Sequence, residues 1–392
     1  MAEEDSLASV TSVTSTSWLG RIGQAFMGVL FGFLLIPLSI VLLFWNEGRA
    51  IKTARGLDEG AGIVRTVAAE RVDPANNGKL VYVTGMLSTG GPVADADFGV
   101  KVPAVRLSRQ VEMYAWKEET HTESRTKFGG GEERTTTYKY VREWSDKPID
   151  SSKFKEPRGH TNPTMVYQAR EAIAPGTRLG GFAVPNGLLY NFGEAKPLAL
   201  TDAEAGALQI RVNKPVVAID GTLYVGRDPS QPSVGDMKIS FLQVPPQTAS
   251  VVAAQTGDGF GPYTTHQDTT VELMSAGTVP AVKMFQAAQA ENTELTWILR
   301  AVGAGLMFLG FSLILGPLGV LGDVIPVLGD VIRAGAAFVG ILFTAAIAPL
   351  VIAIGWLWYR PLVGIAILVV GAAATWGLLR LLRLRTAKKA AA

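Results

Sequence analysis

A long apolar block near the carboxyl end, residues 301–379, most constrains what this chain can fold into. It holds 79 residues and four formal charges, on Asp323, Asp330, Arg333 and Arg360. A hydrocarbon core about 30 Å thick takes about 20 apolar residues as helix, so the block is long enough for several crossings. The charges divide it into three apolar segments. The core of a soluble protein does not require uninterrupted apolar segments of this length. The block therefore predicts a membrane protein.

A second apolar run, residues 22–45, stands near the amino terminus, and roughly 250 mostly polar residues separate it from the block. Its leader carries Glu3, Glu4 and Asp5. The run is also longer than the apolar core of a cleavable signal peptide, so we expect a retained membrane helix.

The predicted fold class is a membrane α-helical protein with four transmembrane helices and a β-rich α+β extracytoplasmic domain inserted between helices one and two. Five bases in residues 380–389 place the carboxyl terminus in the cytoplasm. The bases that follow the first run, in residues 49–55, point the other way, but long domains translocate largely regardless of charge. The expected segments are a disordered cytoplasmic amino terminus (1–20), helix one (21–46), the β-rich domain (47–295), helix two (296–319), a cytoplasmic interfacial segment (320–333), helix three (334–359), helix four (360–380) and a basic cytoplasmic tail (381–392).

Short alternating runs predict the strands of the central domain. Residues 78–88 and 104–117 alternate apolar with polar side chains, and 135–144 is the expected hairpin partner of 104–117, with glycines 129–131 as turn residues. Further strands are expected at 208–212, 216–225, 237–244, 250–255 and 270–275. Residues 279–295 have helical spacing and are expected to lead directly into helix two.

Composition narrows the function classes. Hydrophobic residues make up 48% of the chain and charged residues 18%, which is too apolar for an ordinary soluble protein. The net charge of +2 gives no electrostatic indication of a nucleic-acid partner. The chain contains no cysteine, which excludes disulfides, zinc–thiolate sites and cysteine nucleophiles.

Short motifs follow one another along the chain. They begin with Asn-Glu-Gly-Arg-Ala at 46–50 and continue at 98–107, 111–116, 138–144, 159–163, 234–241 and 355–362. Together they resemble the transmembrane protein 43 family, also called LUMA, over about residues 22–365. The motif residues singled out on this basis are Glu112, Trp116, Trp144, His160, Asn162, Gly235 and Asp236.

The resemblance implies a four-span protein with both termini in the cytoplasm and one large lumenal domain. In animals it implies the endoplasmic reticulum and inner nuclear membrane, and an oligomerising scaffold that contacts lamin-associated membrane proteins. The acidic Ser/Thr-rich amino terminus, the lack of cysteine and the Ala/Gly-rich spans depart from that pattern. They suggest a bacterial homologue in the inner membrane, with a periplasmic domain and no lamina partners.

Candidate structural residues cluster at the predicted helices and their ends. Small residues let membrane helices approach closely, either within one chain or between two, and we select Gly28, Gly32, Gly303 and Gly305. The expected membrane-interface residues are Trp45, Glu47, Arg49, Trp297, Trp358, Tyr359 and Arg360. Glu47 and Arg49 either gate a pore or pair with Arg360, or they are anchoring charges at a membrane boundary.

A short duplication brings two acids into register. The sequence of residues 320–325 returns at 327–332, so Asp323 and Asp330 are separated by two helical turns and would share one helix face. Acids at membrane depth are usually functional, which offers a proton- or cation-pathway reading. An interfacial amphipathic segment at the cytoplasmic side fits the duplication better than a buried one.

Catalytic patterns are weak. His121, His160 and His266 have no metal-ligand spacing, and residues 257–261 read as a plain turn rather than a phosphate loop. The aromatics in 114–116 and 138–144 favour a cross-strand cluster over a ligand platform. We expect no enzyme activity and no cofactor.

These observations give three ordered hypotheses. The first is a non-enzymatic membrane scaffold, a homo-oligomer that binds membrane lipid and other membrane proteins and no nucleic acid. The alternative is an ion channel or transporter component with Asp323, Asp330 and Arg360 near the path. The third is a ligand-binding or enzymatic external domain centred on His160.

Overall fold

The computed structural model describes residues 9–202, 205–206, 208, 214–362 and 365–366. The chain divides into two compact units. A β-rich unit contains residues 1–14, 56–125 and 133–288, and a helical unit contains residues 15–55, 126–132 and 289–392.

The described residues include one short helix, α2, and three long helices that contain the apolar sequence. The helices are α1 (Trp18–Ile63), α2 (Asn186–Leu189), α3 (Ala281–Gly322) and α4 (Pro326–Tyr359). Within the described ranges, α1, α3 and α4 are long and apolar enough to cross a membrane. The predicted fourth helix (360–380) lies almost wholly outside the described residues, and the basic tail (381–392) lies entirely outside them.

Helix α3 begins at Ala281 and continues to Gly322 without a break, so the predicted helix at 279–295 does continue into helix two. The helix stops there, and α4 starts at Pro326, whose missing N–H and fixed φ suit a first helical position. This break shows that the prediction of one helix face shared by Asp323 and Asp330 was wrong. The sequence duplication continues across a turn, not along a helix.

A second difference lies at the amino terminus. Residues 1–20 were expected to be disordered, yet Ser9–Thr16 forms strand β1 and Trp18 begins α1. Valine and threonine recur through this strand, and their β-branched side chains suit extended backbone.

The strands lie mainly between α1 and α3 in sequence. They are β1 (Ser9–Thr16), β2 (Arg65–Thr66), β3 (Leu80–Ser88), β4 (Val93–Asp95), β5 (Val100–Val102), β6 (Arg106–Thr126), β7 (Glu132–Ser145), β8 (Arg170–Ile173), β9 (Arg178–Leu179), β10 (Phe182–Ala183), β11 (Lys196–Leu198), β12 (Val216–Ile219), β13 (Thr222–Val225), β14 (Met237–Val244), β15 (Thr248–Thr256), β16 (Gly259–Gly261), β17 (Tyr263–Thr264), β18 (Thr270–Val271) and β19 (Leu273–Ala276). The predicted strand at 208–212 falls outside the described residues except for position 208.

One sheet of the β-rich unit has the order β1-β7-β6-β14-β13-β12, with β11 on β14 and β8 on β6. Strands β6 and β14 pair antiparallel, from Arg106 opposite Val244 to Met113 opposite Met237. The buried side of β6 carries Leu107, Val111 and Met113, as its alternation predicted. The predicted partnership of β6 with β7 is confirmed.

The other large sheet closes on itself. Strand β3 pairs with β15 and with β9, and the circuit is completed through β16 and β10. Val81, Val83 and Val251 point to one core, whereas Leu80 and Val252 on the alternate positions belong to another. The plain turn predicted at 257–261 is observed at 257–258, where it joins β15 to β16, and residues 259–261 form β16 itself.

Candidate functional site

The motif at 46–50 forms a buried polar network between α1 and α3. Glu47 is 1% exposed, and its two carboxylate oxygens accept hydrogen bonds from Arg300 Nε at 2.7 Å and Nη2 at 2.8 Å. A bidentate guanidinium–carboxylate pair is geometrically specific and is among the stronger ionic contacts. The pair therefore joins α1 to α3 at a defined register.

The other polar side chains of the motif contact α3 about one and two helical turns before Arg300. Asn46 Nδ2 donates to Thr296 O at 3.0 Å, and Arg49 donates to Thr296 Oγ1 and to Asn292 Oδ1, both at 2.9 Å. Asn292 Nδ2 in turn donates to Ala50 O at 2.9 Å. Buried polar groups are costly unless satisfied, and this network satisfies them from both helices.

Glycines let α4 approach the same place. A Cβ added to Gly48 would overlap the ring of Tyr359, and a Cβ on Gly355 would lie 3.2 Å from Cβ and Cγ of Glu47. Because both glycines are needed for close packing, the motif at 46–50 and the motif at 355–362 form one structural site.

The pairing of Glu47 or Arg49 with Arg360, one of the alternatives that the sequence left open, is not the arrangement in the structure. The Arg360 guanidinium lies over the Trp356 ring, 5.3 Å from its centroid, and Arg300 takes the place beside Glu47. Sequence reasoning missed Arg300, although it is the last charged residue before the apolar block.

Aromatic side chains surround this end of the helices and face outward. Trp45, Trp297 and Trp358 are 54%, 63% and 71% exposed, while Tyr359 packs on Phe44. Exposed tryptophans at the ends of apolar helices are typical of a membrane–water interface.

A second ionic network lies at the turn between α3 and α4. The side chain of Asp323 is completely buried, and it accepts hydrogen bonds at 2.6 Å from both Arg21 and Arg333. Arg333 also bonds Asp330, whose side chain is 73% exposed. The two acids therefore differ in environment but share one arginine.

The β6–β7 turn belongs to the same network. Arg21 Nη1 donates to Gly130 O at 2.7 Å, and Arg21 Nε lies 3.1 Å from a carboxylate oxygen of Glu132. The Gly129 N–H donates to Val324 O, and the Trp18 ring contacts Gly130. The positive φ of Gly129 and Gly130, +86° and +82°, is the reason that glycine suits both positions.

Three of the four predicted packing glycines act within the chain. A Cβ on Gly32 would lie 2.6 Å from Gly310 O, and one on Gly303 would lie 2.5 Å from Leu43 Cδ2. Gly28 faces Leu313 at 3.4 Å, whereas Gly305 faces open space. Gly28 and Gly32 therefore have packing partners in α3 of the same chain.

Arg21 and Glu47 mark the two ends of the apolar part of α1. They are 26 positions apart, which corresponds to about 39 Å along a helix at a rise of 1.5 Å per residue. A bilayer with its headgroup regions measures about 40–45 Å. The two networks therefore have the spacing of the two membrane boundaries.

In the β-rich unit, family-motif residues gather at one end of the β6 sheet. Asn162 holds the Trp116 backbone from the side: its Oδ1 accepts from Trp116 N at 2.7 Å, and its Nδ2 donates to Trp116 O at 2.9 Å. His160 is buried, stacks on Tyr140 with ring centroids 3.9 Å apart, and shares a hydrogen bond with Glu156 O. These contacts give His160 a packed position beside the strand.

The remaining motif residues lie around Trp144. Its ring contacts Tyr114 and Tyr224, and Lys238, which pairs with Glu112 across the strands, lies 4.1 Å above it. Burial raises the pKa of the Tyr224 hydroxyl well above 10, and its hydrogen bond to Asp236 acts in the same direction. Gly235 has a φ of +96° and packs against Pro163.

Reactive groups do not converge in the part of the chain that the structure describes. No group of three or more potential metal-ligating side chains occurs there, and His121 and His266 each lie beside one acid, Glu123 and Glu59 respectively. A surface cavity of about 600 Å³ is lined by Asp150, Ser151, Ser152, Asn162, Pro163 and neighbouring residues. The Ser152 hydroxyl lowers the pKa of Asp150 by hydrogen bonding, so this carboxylate stays ionised near neutral pH.

Comparison with known proteins gives consistent matches. A family model described as Transmembrane protein 43 matches residues 113–361. Proteins named Transmembrane protein 43 from Rattus norvegicus and Homo sapiens are 34% and 33% identical to this chain over 365 residues, with 90% of each chain covered. A Drosophila melanogaster homolog is 28% identical over 362 residues, covering 88% of this chain and 92% of that protein. No solved structure matches.

Proposed function

Because the chain belongs to the transmembrane protein 43 family, we propose that it is a non-enzymatic membrane scaffold. It is a multi-pass protein that self-associates and organises membrane proteins or lipid through its β-rich domain.

The observation that carries this proposal is the neutralisation of both buried acids of the helical unit. Glu47 is held by Arg300, and Asp323 is held by Arg21 and Arg333, so each acid joins elements distant in sequence. Removing one partner of a buried ion pair is strongly destabilising, so such pairs keep helices in one arrangement. A rigid helical anchor is what a scaffold needs.

The proposed topology has four spans, with residues 360–380 as the fourth. The Arg21 end of α1 and the α3–α4 turn lie at the cytoplasmic boundary, and the Glu47 end lies at the opposite boundary. The β-rich domain then lies outside the cytoplasm, in the periplasm if the cell is bacterial. The 39 Å spacing of the two networks supports this placement.

The alternative function expected from the sequence is an ion channel or transporter component. A path along Asp323, Asp330 and Arg360 is not favoured, because arginines bind both acids and Arg360 lies on Trp356. Helix α4 also separates Asp330 from Arg360 by 30 positions, about 45 Å. An ion path would therefore have to be formed by other residues.

Native mass spectrometry of the intact protein from gently solubilised membranes tests the scaffold proposal. We expect a defined homo-oligomer, and chemical crosslinking in unsolubilised membranes should give the same number of copies. A protein that is monomeric by both methods contradicts self-association. Ion flux into reconstituted liposomes that is abolished by combining Asp323→Asn with Asp330→Asn would instead support the channel along those acids.

A further inference from the structure

The surface cavity of the β-rich unit is lined largely by residues from two loop segments, 148–152 and 161–168, both within that unit. Asn162 joins the two segments: its N–H donates to Ser151 Oγ at 2.9 Å, and its Nδ2 donates to Ile149 O at 3.3 Å. The volume of about 600 Å³ falls within the range of small-molecule pockets, about 300–1,000 Å³. Hydrogen bonds within the chain therefore hold a cavity of ligand size in shape.

Apolar groups form one part of the lining. The rings of Pro148, Pro157 and Pro163 lie there, and so do the side chains of Ile149 and Met165. Met165 is buried in the core of the unit, and Ile149 packs against that core. Proline has no rotamer freedom to lose when a ligand covers it. This part of the cavity can therefore cover the C–H surface of a small ring at little entropic cost.

The polar part of the lining offers hydrogen-bond donors as well as acceptors. Ser151 is 7% exposed, and its hydroxyl accepts from Asn162 but finds no acceptor for its own proton among the described residues. The Thr164 hydroxyl and the Gln168 amide line the cavity too. A buried O–H group without an acceptor is costly, so a ligand oxygen beside Ser151 would be stabilising.

Asp150 is the one charged residue among the described residues that line the cavity. Its Oδ1 accepts from the N–H of Ser152 at 3.1 Å and from the Ser152 hydroxyl at 2.6 Å, and its Oδ2 lies 3.2 Å from Lys153 Nζ. Because Lys153 balances the charge from within the chain, the site does not need a cationic ligand. A carboxylate has about four acceptor positions, so Asp150 can still accept hydrogen bonds from ligand hydroxyls.

We propose that this cavity binds a neutral saccharide, a mono- or disaccharide. Sugar hydroxyls both donate and accept, as Ser151, Gln168 and Asp150 require, and the C–H face of a sugar ring suits the apolar wall. Saccharide binding goes beyond the proposed scaffold function and does not depend on self-association, so either can fail without the other.

Other ligand classes fit this lining less well. A phosphate group would face the Asp150 carboxylate, and no arginine or lysine is among the described residues that line the cavity. An acyl chain would cover the polar groups of Ser151, Thr164 and Gln168 without offering them a hydrogen bond. A neutral ligand with several hydroxyls avoids both costs.

Saturation-transfer-difference NMR on the intact protein tests the proposal. The protein is reconstituted in phosphatidylcholine nanodiscs, because maltoside and glucoside detergents would themselves present sugar rings. The probes are glucose, N-acetylglucosamine, maltose and cellobiose, each also as its methyl glycoside. We expect saturation transfer to the ring protons of at least one probe, and none with empty nanodiscs. Transfer to the methyl glycoside indicates a site that also accepts a glycan attached to lipid or protein, whereas transfer to the free sugar alone indicates a free saccharide.

Asp150→Asn and Asp228→Asn make a matched pair for locating the bound saccharide. Both carboxylates accept from the N–H and, at 2.6 Å, from the hydroxyl of the serine two positions later, but Asp228 does not line the cavity. Losing a charged acceptor should raise the Kd of Asp150→Asn about tenfold or more. Asp228→Asn should bind like the wild type.

Thr164→Trp is a second variant, in which an exposed lining residue becomes large enough to fill part of the cavity. It should abolish the transfer, and it decides the matter if the thermal midpoint shows that Asp150→Asn is poorly folded. Absence of transfer to every saccharide overturns the proposal. Equal binding by the wild type, Asp150→Asn and Thr164→Trp also overturns it, because the saccharide then lies elsewhere. Transfer to protonated ethanolamine with none to any saccharide shows that the ligand class is wrong.

Discussion

Arg300 donates both hydrogen bonds of its guanidinium fork to Glu47, a residue 253 positions away, at 2.7 and 2.8 Å. The carboxylate is almost fully buried, whereas Arg300 retains some exposure. Breaking the pair would therefore leave the Glu47 carboxylate buried without its partner, whereas Arg300 would keep some contact with solvent.

Arg300→Met should destabilise the protein strongly, because it leaves a buried carboxylate without its partner. Breaking one side of a buried ion pair costs about 3–5 kcal/mol. Thermal unfolding in mild detergent measures the effect as a lowered midpoint. Combining Arg300→Met with Glu47→Gln should restore part of the loss, and Arg158→Met, at an exposed position, should change little; equal losses for all three variants would contradict the argument.

Asp323→Asn and Asp330→Asn make a matched pair on the same turn. Asp323 is buried between Arg21 and Arg333, so its amide variant removes the buried carboxylate that these two guanidinium groups share and should cost about 3–5 kcal/mol. Asp330 is exposed, and an exposed ion pair contributes about 0–1 kcal/mol. Thermal midpoints compare the two variants, and a larger loss for Asp330→Asn would show that the assignment is reversed.

Gly48→Ala should destabilise the helical unit by about 1–3 kcal/mol, because its methyl group meets the Tyr359 ring. Gly62→Ala in the same helix meets nothing within 4 Å and should stabilise by up to about 1 kcal/mol. Replacing the Tyr359 ring with the smaller side chain of Tyr359→Leu should reduce the destabilisation caused by Gly48→Ala. A double-mutant cycle on thermal midpoints detects this coupling. Additive effects would argue against contact between the two positions.

Tyr224 should ionise later than an ordinary tyrosine, because burial and Asp236 favour its neutral form. Its pKa is raised in the folded state, so its contribution to stability is complete below pH 10 and is lost as the pH rises above that value. Phenolate absorbance compares the wild type with Tyr224→Phe. The folded variant should show an unchanged amplitude near pH 10, whereas both proteins unfolded in denaturant should differ by one phenol; a lost phenol near pH 10 in the folded variant would contradict the assignment.

Periodicity predicted much of the β-rich unit. Strand β14 was expected at 237–244 and is observed at Met237–Val244. Apolar and polar residues alternate along most of this strand, and turn-forming residues flank it. Strand β6 extends nine residues past the expected end at Lys117, to Thr126. Its outer part is polar on both faces, so no alternation marks it, and β1 was missed for the same reason.

Side-chain partners in the helical unit could not be predicted in the same way. The sequence marks Glu47 as an acid at a helix end, but several arginines are equally available, and helix rotation decides which one faces it. Asp323 and Asp330 have identical local sequences. One is buried and the other exposed because the chain turns between them, and Pro326 was the overlooked signal for that turn.

The closed circuit of β3, β15, β16, β10 and β9 has a consequence for the dynamics of the protein. Strand β15 lies between β3 on one side and β19 and β16 on the other, so its amides exchange with solvent only when neighbouring strands separate. The amide of Val251, which lies between β3 and β19, therefore reports opening of the sheet rather than fraying of an edge strand. The slow exchange of such amides gives a reference rate with which the faster exchange at strand ends and in loops can be compared.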